Sequence, residues 1–522
     1  MAPKKSNTVW REPVAFKDLL DNHEQRKKTA LAMGGEAKLA KRKEQGNLNA
    51  RERLDVLLDA DSFCESGLFA KSIRPEMRHK TPADGKIAGY GRIGSREVAV
   101  VSNDFTVVGA SSSAINGKKI RHMREVAGQR GLPLIFLGES AGARMPDRMG
   151  AAGRAMLGQD PAEYLRDRRT PWVSALLGDC YGSSTWYACM SDFVVMRKGA
   201  TMAVASSRVT SVAINQTVEA EDLGGWRLHT GETGLVDIAV DSDEEALEAV
   251  RKFLSYLPSH SGEAPPRLES PGESEAAAER ILEILPEVRN AVYDVRDIAR
   301  CIVDEDSLFE LKPRFGKSVM TGLARIDGRS VGILANNPKF KGGAIDVNAM
   351  RKAVSFLVMC DSYNLPIVFL VDQPGFLIGI DGEKRWAPGR IMNWMNAISL
   401  VTTPKIAVIL RKSYGQAYLN MGGGRNSDEV LAWPTADLGF VDPVLGVHML
   451  HKLKRDDDPE RFDKLVEELK QDSTAYSLAE LYETHAVIDP RETRSALKRL
   501  LEVHANKGGV GEHKLAHWPT SY

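Results

Sequence analysis

The sequence predicts an α/β chain made of two tandem copies of one domain, and three observations carry that prediction. From about Lys86 onward, short β-branched or apolar runs alternate with longer amphipathic ones, as in parallel strands crossed by helices. "LPLIFLGESAGARM", starting at Leu132, and "LPIVFLVDQPGFLIG", starting at Leu365, share one order of residues: Leu-Pro, an apolar run, an acid, a glycine turn. Between them lies "SHSGEAPPRLESPGESEAA", Ser259 to Ala277, which is rich in Pro, Gly, Ser and Glu and reads as a linker.

The elements follow in chain order. Phe16 to Leu58 is helical by pattern, and "NLNARERLDVLLDADSF" carries apolar residues at helical spacing. The repeat then sets in. Leu132 to Leu365 is an offset of 365 − 132 = 233 residues, which also carries Phe136 onto Phe369, Glu139 onto Asp372 and Gly142 onto Gly375. Upstream the same offset pairs Asn103 with Asn336, Gly109 with Gly342 and Lys119 with Lys352. Downstream, "DCYGSS" at Asp179 falls on "KSYGQA" at Lys412, so Tyr181 and Gly182 meet Tyr414 and Gly415. Chance aligns one apolar strand with another; one register held from Asn103 to Gly182 is much harder to reach. We divide the 522 residues into 1–262 and 263–522.

Composition excludes several classes. With 43% apolar and 27% charged residues the chain is an ordinary globular one. Seventy basic residues balance seventy acidic ones, leaving no field to draw in nucleic acid or an anionic membrane. Cys64, Cys180, Cys189, Cys301 and Cys360 form no C-x-x-C pair, which argues against a zinc ribbon or a disulfide framework and fits a reducing cytosol. The eleven histidines show no metal spacing, so no metal is expected. No apolar run approaches the roughly 18 residues of a membrane span, and "MAPKKSNTVWREP" lacks a secretory core, so a cytoplasmic location is expected.

The repeated turns suggest chemistry. Glycine removes the Cβ that keeps a ligand off the backbone, and a turn that opens a helix leaves amides without internal partners. Two such turns side by side aim several donors at one spot, as an oxyanion hole does. The plainer reading is that they are only the tight strand-to-helix turns of any α/β protein.

At these residues the chain resembles the carboxyltransferase subunits of biotin-dependent acyl-CoA carboxylases, such as propionyl-CoA carboxylase β chains. The resemblance runs through "GNLNARERLDVLLDADSF", "GYGRIGSREVAVVSNDFTVVGASSS", "DLGGWRLHTGETGLVDIAV", "GLARIDGRSVGILANNP", "CDSYNLPIVFLVDQPGFLIG" and "RKSYGQAY". It implies two crotonase-like ββα superhelix domains, an acyl-CoA side in 1–262 and a biotin side in 263–522. It also implies a hexamer, a trimer of dimers, whose active site lies between the N-domain of one subunit and the C-domain of its partner. CO2 would pass from carboxybiotin to the α-carbon of an acyl-CoA, with an oxyanion on each partner. Ala141 and Gly142 fall where amides hold the thioester oxygen, and Gln416 and Ala417 where amides hold the biotin oxygen. Gly182, Ser183, Gly375 and Phe376 would complete the two holes, with Ala143, Tyr418 and Leu419 beside them. No side-chain acid or base is required.

This chain departs from the resemblance in places. "GDCYGSSTWY" stands where relatives show a Gly-Gly-Ala run, and Gln416 replaces a second glycine. Leu419 suits an apolar acyl chain or core packing equally. Lys118, Lys119 and Arg121 follow a turn and are expected either to meet CoA phosphates or to form a solvated helix face. The insert Leu157 to Trp172, with its arginines, is expected to be a surface excursion or a gate. There is no Ala-Met-Lys-Met biotinylation hairpin and no ATP-binding module, so a separate biotin carboxylase and biotin carrier are expected as partners. A decarboxylase or transcarboxylase would use the same residues, and a catalytically silent assembly subunit is the third reading.

Overall fold

The computed structural model describes residues 15–155, 161–270, 272, 274–507, 510–511 and 513–519. They build two eight-stranded sheets. The first holds β1 (Cys64–Ser66), β2 (Lys86–Ile93), β3 (Arg96–Asn103), β4 (Leu134–Ser140), β5 (Trp172–Tyr181), β6 (Phe193–Arg197), β7 (Thr201–Ala203) and β8 (Ile238–Val240). The second holds β9 (Phe309–Leu311), β10 (Val319–Ile326), β11 (Arg329–Asn336), β12 (Ile367–Gln373), β13 (Lys405–Tyr414), β14 (Glu429–Ala432), β15 (Asp437–Gly439) and β16 (Ala486–Val487). Their orders are β1-β2-β3-β4-β5-β6-β8 and β9-β10-β11-β12-β13-β14-β16. β7 and β15 sit beside the C-terminal ends of β5 and β13. Adding eight to a strand number turns one sheet into the other.

The register agrees residue by residue. First residues of β2 to β5 and of β10 to β13 differ by 319 − 86, 329 − 96, 367 − 134 and 405 − 172, each 233; from β6 to β14 the difference is 429 − 193 = 236. Both sheets break register at the same point, Gly138/Ser140 and Val371/Gln373. All seven residues of β4 and of β12 are buried, because parallel strands are covered on both faces.

The predicted N-terminal helical stretch comprises helices Phe16–Leu31, Glu36–Glu44 and Ala50–Leu57, the last started by a capping box of Asn49 and Glu52. The described residues of the linker are irregular up to Ser274. Its hydroxyl caps the helix Glu275–Ile284, so Glu275 to Ala277 belong to that helix rather than to the linker. The two halves share one core. The Phe193 ring lies 4.6 Å from Phe253 and 5.7 Å from Phe309, and Tyr256 Oη donates to Ser307 O at 2.5 Å.

Residues 157–160 of the insert lie outside the described residues; in the rest Tyr164, Leu165 and Arg169 are exposed, as a surface excursion requires, but Arg166 and Arg168 are buried. Buried Arg166 donates to Asp192 and, at 2.8 Å, to Tyr363 Oη, and Arg168 donates to the carbonyls of Ala516 and Trp518 at 3.1 and 2.7 Å. These arginines join the two halves. Among the described residues no helix is long and apolar enough to cross a membrane.

Candidate active site

The acid that closes each repeated strand faces inward. Glu139 takes Arg42 at 2.8 and 2.9 Å and Arg53 at 2.8 Å; Asp372 takes Arg411 Nε at 2.8 Å and Tyr293 Oη at 3.0 Å. Both carboxylates are buried anchors for the strand ends.

The glycines after them shape the turns. Gly182 has φ 65° and ψ −122°, and Gly415 has φ 63°, backbone that residues with a Cβ rarely adopt. A Cβ on Gly182 would stand 3.9 Å from Gly142 Cα, so the turns after β4 and β5 lie against each other. The loop before the preceding helix, Ala114–Arg130 or Val347–Ser362, clasps each first turn. Ser112 N–H donates to Gly142 O at 2.8 Å and Arg144 N–H to Ser112 O at 2.9 Å; Ile345 N–H donates to Gly375 O at 3.1 Å and Leu377 N–H to Ile345 O at 2.9 Å. Extended backbone alternates its direction, so the residue between the bonded pair points its N–H away from the clasp. That residue is Ala143 in one copy and Phe376 in the other. In each case 143 + 233 = 376 preserves the geometry.

The helix-opening turns leave a second set of amides. Thr185 and Trp186 N–H bond back to Gly182 O, and Tyr418 N–H to Gly415 O, but Ser183, Ser184, Gln416 and Ala417 precede any such bond. The amides of Ala143, Ser183 and Ser184, and of Phe376, Gln416 and Ala417, find no acceptor among the described residues.

Two expectations are corrected. The Ala141 N–H donates to Gly109 O at 2.8 Å, which leaves it nothing to give a ligand, and Gly142 N–H turns back on Ser140 Oγ at 3.2 Å. Ala143 is the open donor instead, because its carbonyl and amide alternate past the Ser112 clasp. Lys119 does not face a phosphate. Its ammonium is buried, donating to the carbonyls of Gly67 and Ala83 at 3.0 Å each and to that of Lys86. Lys118 is exposed. Sequence reasoning also missed Ser184 and Ser112. The offset itself carries Ala417 back to Ser184, whereas the Ser112 clasp is a contact between loops that spacing does not show.

On the C-terminal side a cleft of about 410 Å³ opens between Gln416, Leu419, Leu438, Phe440 and Leu478, with Tyr418 at its edge. Tyr418 Oη accepts from Gly424 N–H at 2.9 Å, which fixes the ring against that glycine loop. A Cβ on Gly375 would meet nothing within 4 Å, so that turn is open.

A doubled α/β fold whose two copies each leave amides at adjoining turns without an acceptor among the described residues has the donor arrangement of an anion-binding enzyme site. A family model described as "Carboxyl transferase domain" matches residues 41–512. The chain is 34% identical over 500 residues to the propionyl-CoA carboxylase carboxyltransferase subunit of Haloferax mediterranei, covering 93% of this chain and 95% of that protein. It is 33% identical to the methylmalonyl-CoA decarboxylase subunit alpha of Veillonella parvula, covering 91% and 94%. The solved transcarboxylase 12S subunit, a hexamer with methylmalonyl-coenzyme A bound, matches with TM-score 0.88 at 31% identity over 95% of this chain and 97% of that one. The chain belongs to the carboxyl transferase domain family, and is a carboxyltransferase of the acyl-CoA carboxylase type with a crotonase-like fold.

Proposed function

We propose that this chain moves a carboxyl group between a biotin carried on a partner protein and the α-carbon of an acyl-CoA, in a cytoplasmic hexamer. Residues 1–262 form the acyl-CoA side and residues 263–522 the biotin side. Carboxybiotin supplies the CO2 and, once it has given it up, a basic ureido oxygen. The chain's own task is electrostatic. Ala143, Ser183 and Ser184 aim N–H dipoles at the thioester oxygen as negative charge grows there, while Phe376, Gln416 and Ala417 do the same for the ureido oxygen. Amides held by clasped turns need no reorganisation, and one such donor is worth about 3 kcal/mol in the transition state. The apolar side chains of Leu419, Leu438, Phe440 and Leu478 in the Gln416 cleft suit the ring of biotin.

The observation that carries this reading is six unpaired amides at equivalent positions of two copies. A silent assembly subunit gains nothing by leaving them unpaired. Relatives named for carboxylation and for decarboxylation align equally well, so the assay runs both ways. Purified enzyme is given free carboxybiotin with a panel of acyl-CoAs, then biotin with the matching carboxyacyl-CoAs. Transfer in either direction supports the reading; none with any acyl chain, together with no acyl-CoA binding, overturns it.

A further inference from the structure

Ser112 and Ser183 lie 71 positions apart in sequence, yet their hydroxyl oxygens are 2.6 Å from each other. Ser112 is the residue that clasps the first turn, and Ser183 carries one of the unpaired amides. Neither hydroxyl has another partner among the described residues, and both side chains are half-buried at the junction of the two turns. Two hydroxyls hold two protons, of which their mutual bond uses one. The second is left to an acceptor in the site. The other copy has no such pair: 112 + 233 = 345 and 183 + 233 = 416 are Ile345 and Gln416. We propose that the Ser112–Ser183 pair is a further oxyanion donor, giving its spare O–H to the acyl-CoA thioester oxygen beside the Ala143 and Ser183 amides. This rests on the acyl-CoA reading of the N-terminal half.

A donor that acts on developing charge strengthens binding of an enolate more than of a neutral thioester. The probes are therefore two CoA thioethers of equal length, one bearing a nitronate in place of the enolate and one a neutral ketone. Titration calorimetry on the intact oligomer compares wild type with Ser112→Ala, Ser183→Ala, the double variant and Ser183→Thr. We expect each alanine variant to lose at least tenfold in nitronate affinity while ketone affinity changes less than twofold. The double variant loses no more than either single one, and the threonine variant retains the preference. A pair that only braced the turns would shift both ligands together, and that result overturns the proposal, as does a nitronate preference retained by every alanine variant. Wild type that binds neither CoA compound fails the acyl-CoA reading itself, and the pair with it.

Discussion

Lys119 and Lys352 stand at the same position of the two copies, and each buries its ammonium beneath backbone carbonyls, Lys352 on those of Lys312 and Phe315 at 2.9 and 3.1 Å. Burial lowers Lys119 to about 8 and Lys352 to about 7, from 10.5 when exposed. Between these values the unfolded chain holds protons that the folded chain has released. Their penalty is therefore complete below pH 7 and is relieved as pH rises, by at most about 1.4 kcal/mol per pH unit for each lysine. Urea unfolding of wild type and Lys352→Met at pH 7 and pH 8.5 measures this. The wild type should gain on the variant as pH rises; parallel stabilities would show that Lys352 is charged throughout.

The acids that end β4 and β12 belong to the scaffold. Arg53 is fully buried between Glu139 and Asp243, the latter at 3.0 Å. Removing one partner of a buried pair leaves charge uncompensated, at about 3–5 kcal/mol. Glu139→Gln should lower unfolding stability by roughly that amount, and KM for acyl-CoA should hold wherever the variant folds. A stable variant with selectively lost turnover would place the carboxylate in the chemistry instead.

Much of this was legible in the sequence because the repeat is written in residues whose type is forced. Only glycine readily adopts the turn after β5 and β13, and apolar runs are forced where both faces of a strand are covered. The offset thus exposed the fold, the paired turns and both lysines. Which amide is open was not legible. Ala141 and Ala143 differ only in where loop 109–112 bonds, and Lys119 reads the same whether its ammonium meets solvent or three carbonyls. Side-chain direction depends on contacts between distant segments, and the arginines of the insert were misjudged for the same reason.

Proline removes a backbone donor with little harm at the first position of a helix, which makes the amides testable. Ser183 opens its helix and Gln416 caps the short helix that Ala417 opens. Ser183→Pro should cut acyl-CoA α-proton exchange by about 10²–10³-fold beyond Ser183→Ala, which removes the hydroxyl and keeps the amide, and Gln416→Pro should cut carboxybiotin decarboxylation by a like factor. Ser183→Pro should spare CO2 release, whereas Gln416→Pro should cut both half-reactions, because the ureido base that takes the α-proton is formed by that release. Deuterium uptake into acyl-CoA and CO2 release are read separately, and equal damage to both by Ser183→Pro would remove the assignment of one hole to each substrate.

Tyr363 is the hinge-pin between the halves. Its phenol accepts from Arg166 at 2.8 Å and lies 2.6 Å from Asp192 Oδ2 and 2.9 Å from Thr170 O, three residues of the N-terminal half reached from a helix end of the C-terminal half. Burial, with Asp192 opposing ionisation, holds the phenol well above its ordinary pKa, so it stays a donor at any working pH. Tyr363→Phe keeps the ring in its fully buried socket and deletes only these bonds. Leaving buried Arg166 and Asp192 without it should cost about 1–3 kcal/mol. Because the lost bonds join the two halves, denaturation followed by tryptophan fluorescence and by circular dichroism should separate into two transitions where wild type shows one. A single transition at the wild-type midpoint would mean that the shared core around Phe193 and Phe309 and the Arg168 bonds couple the halves without Tyr363 Oη.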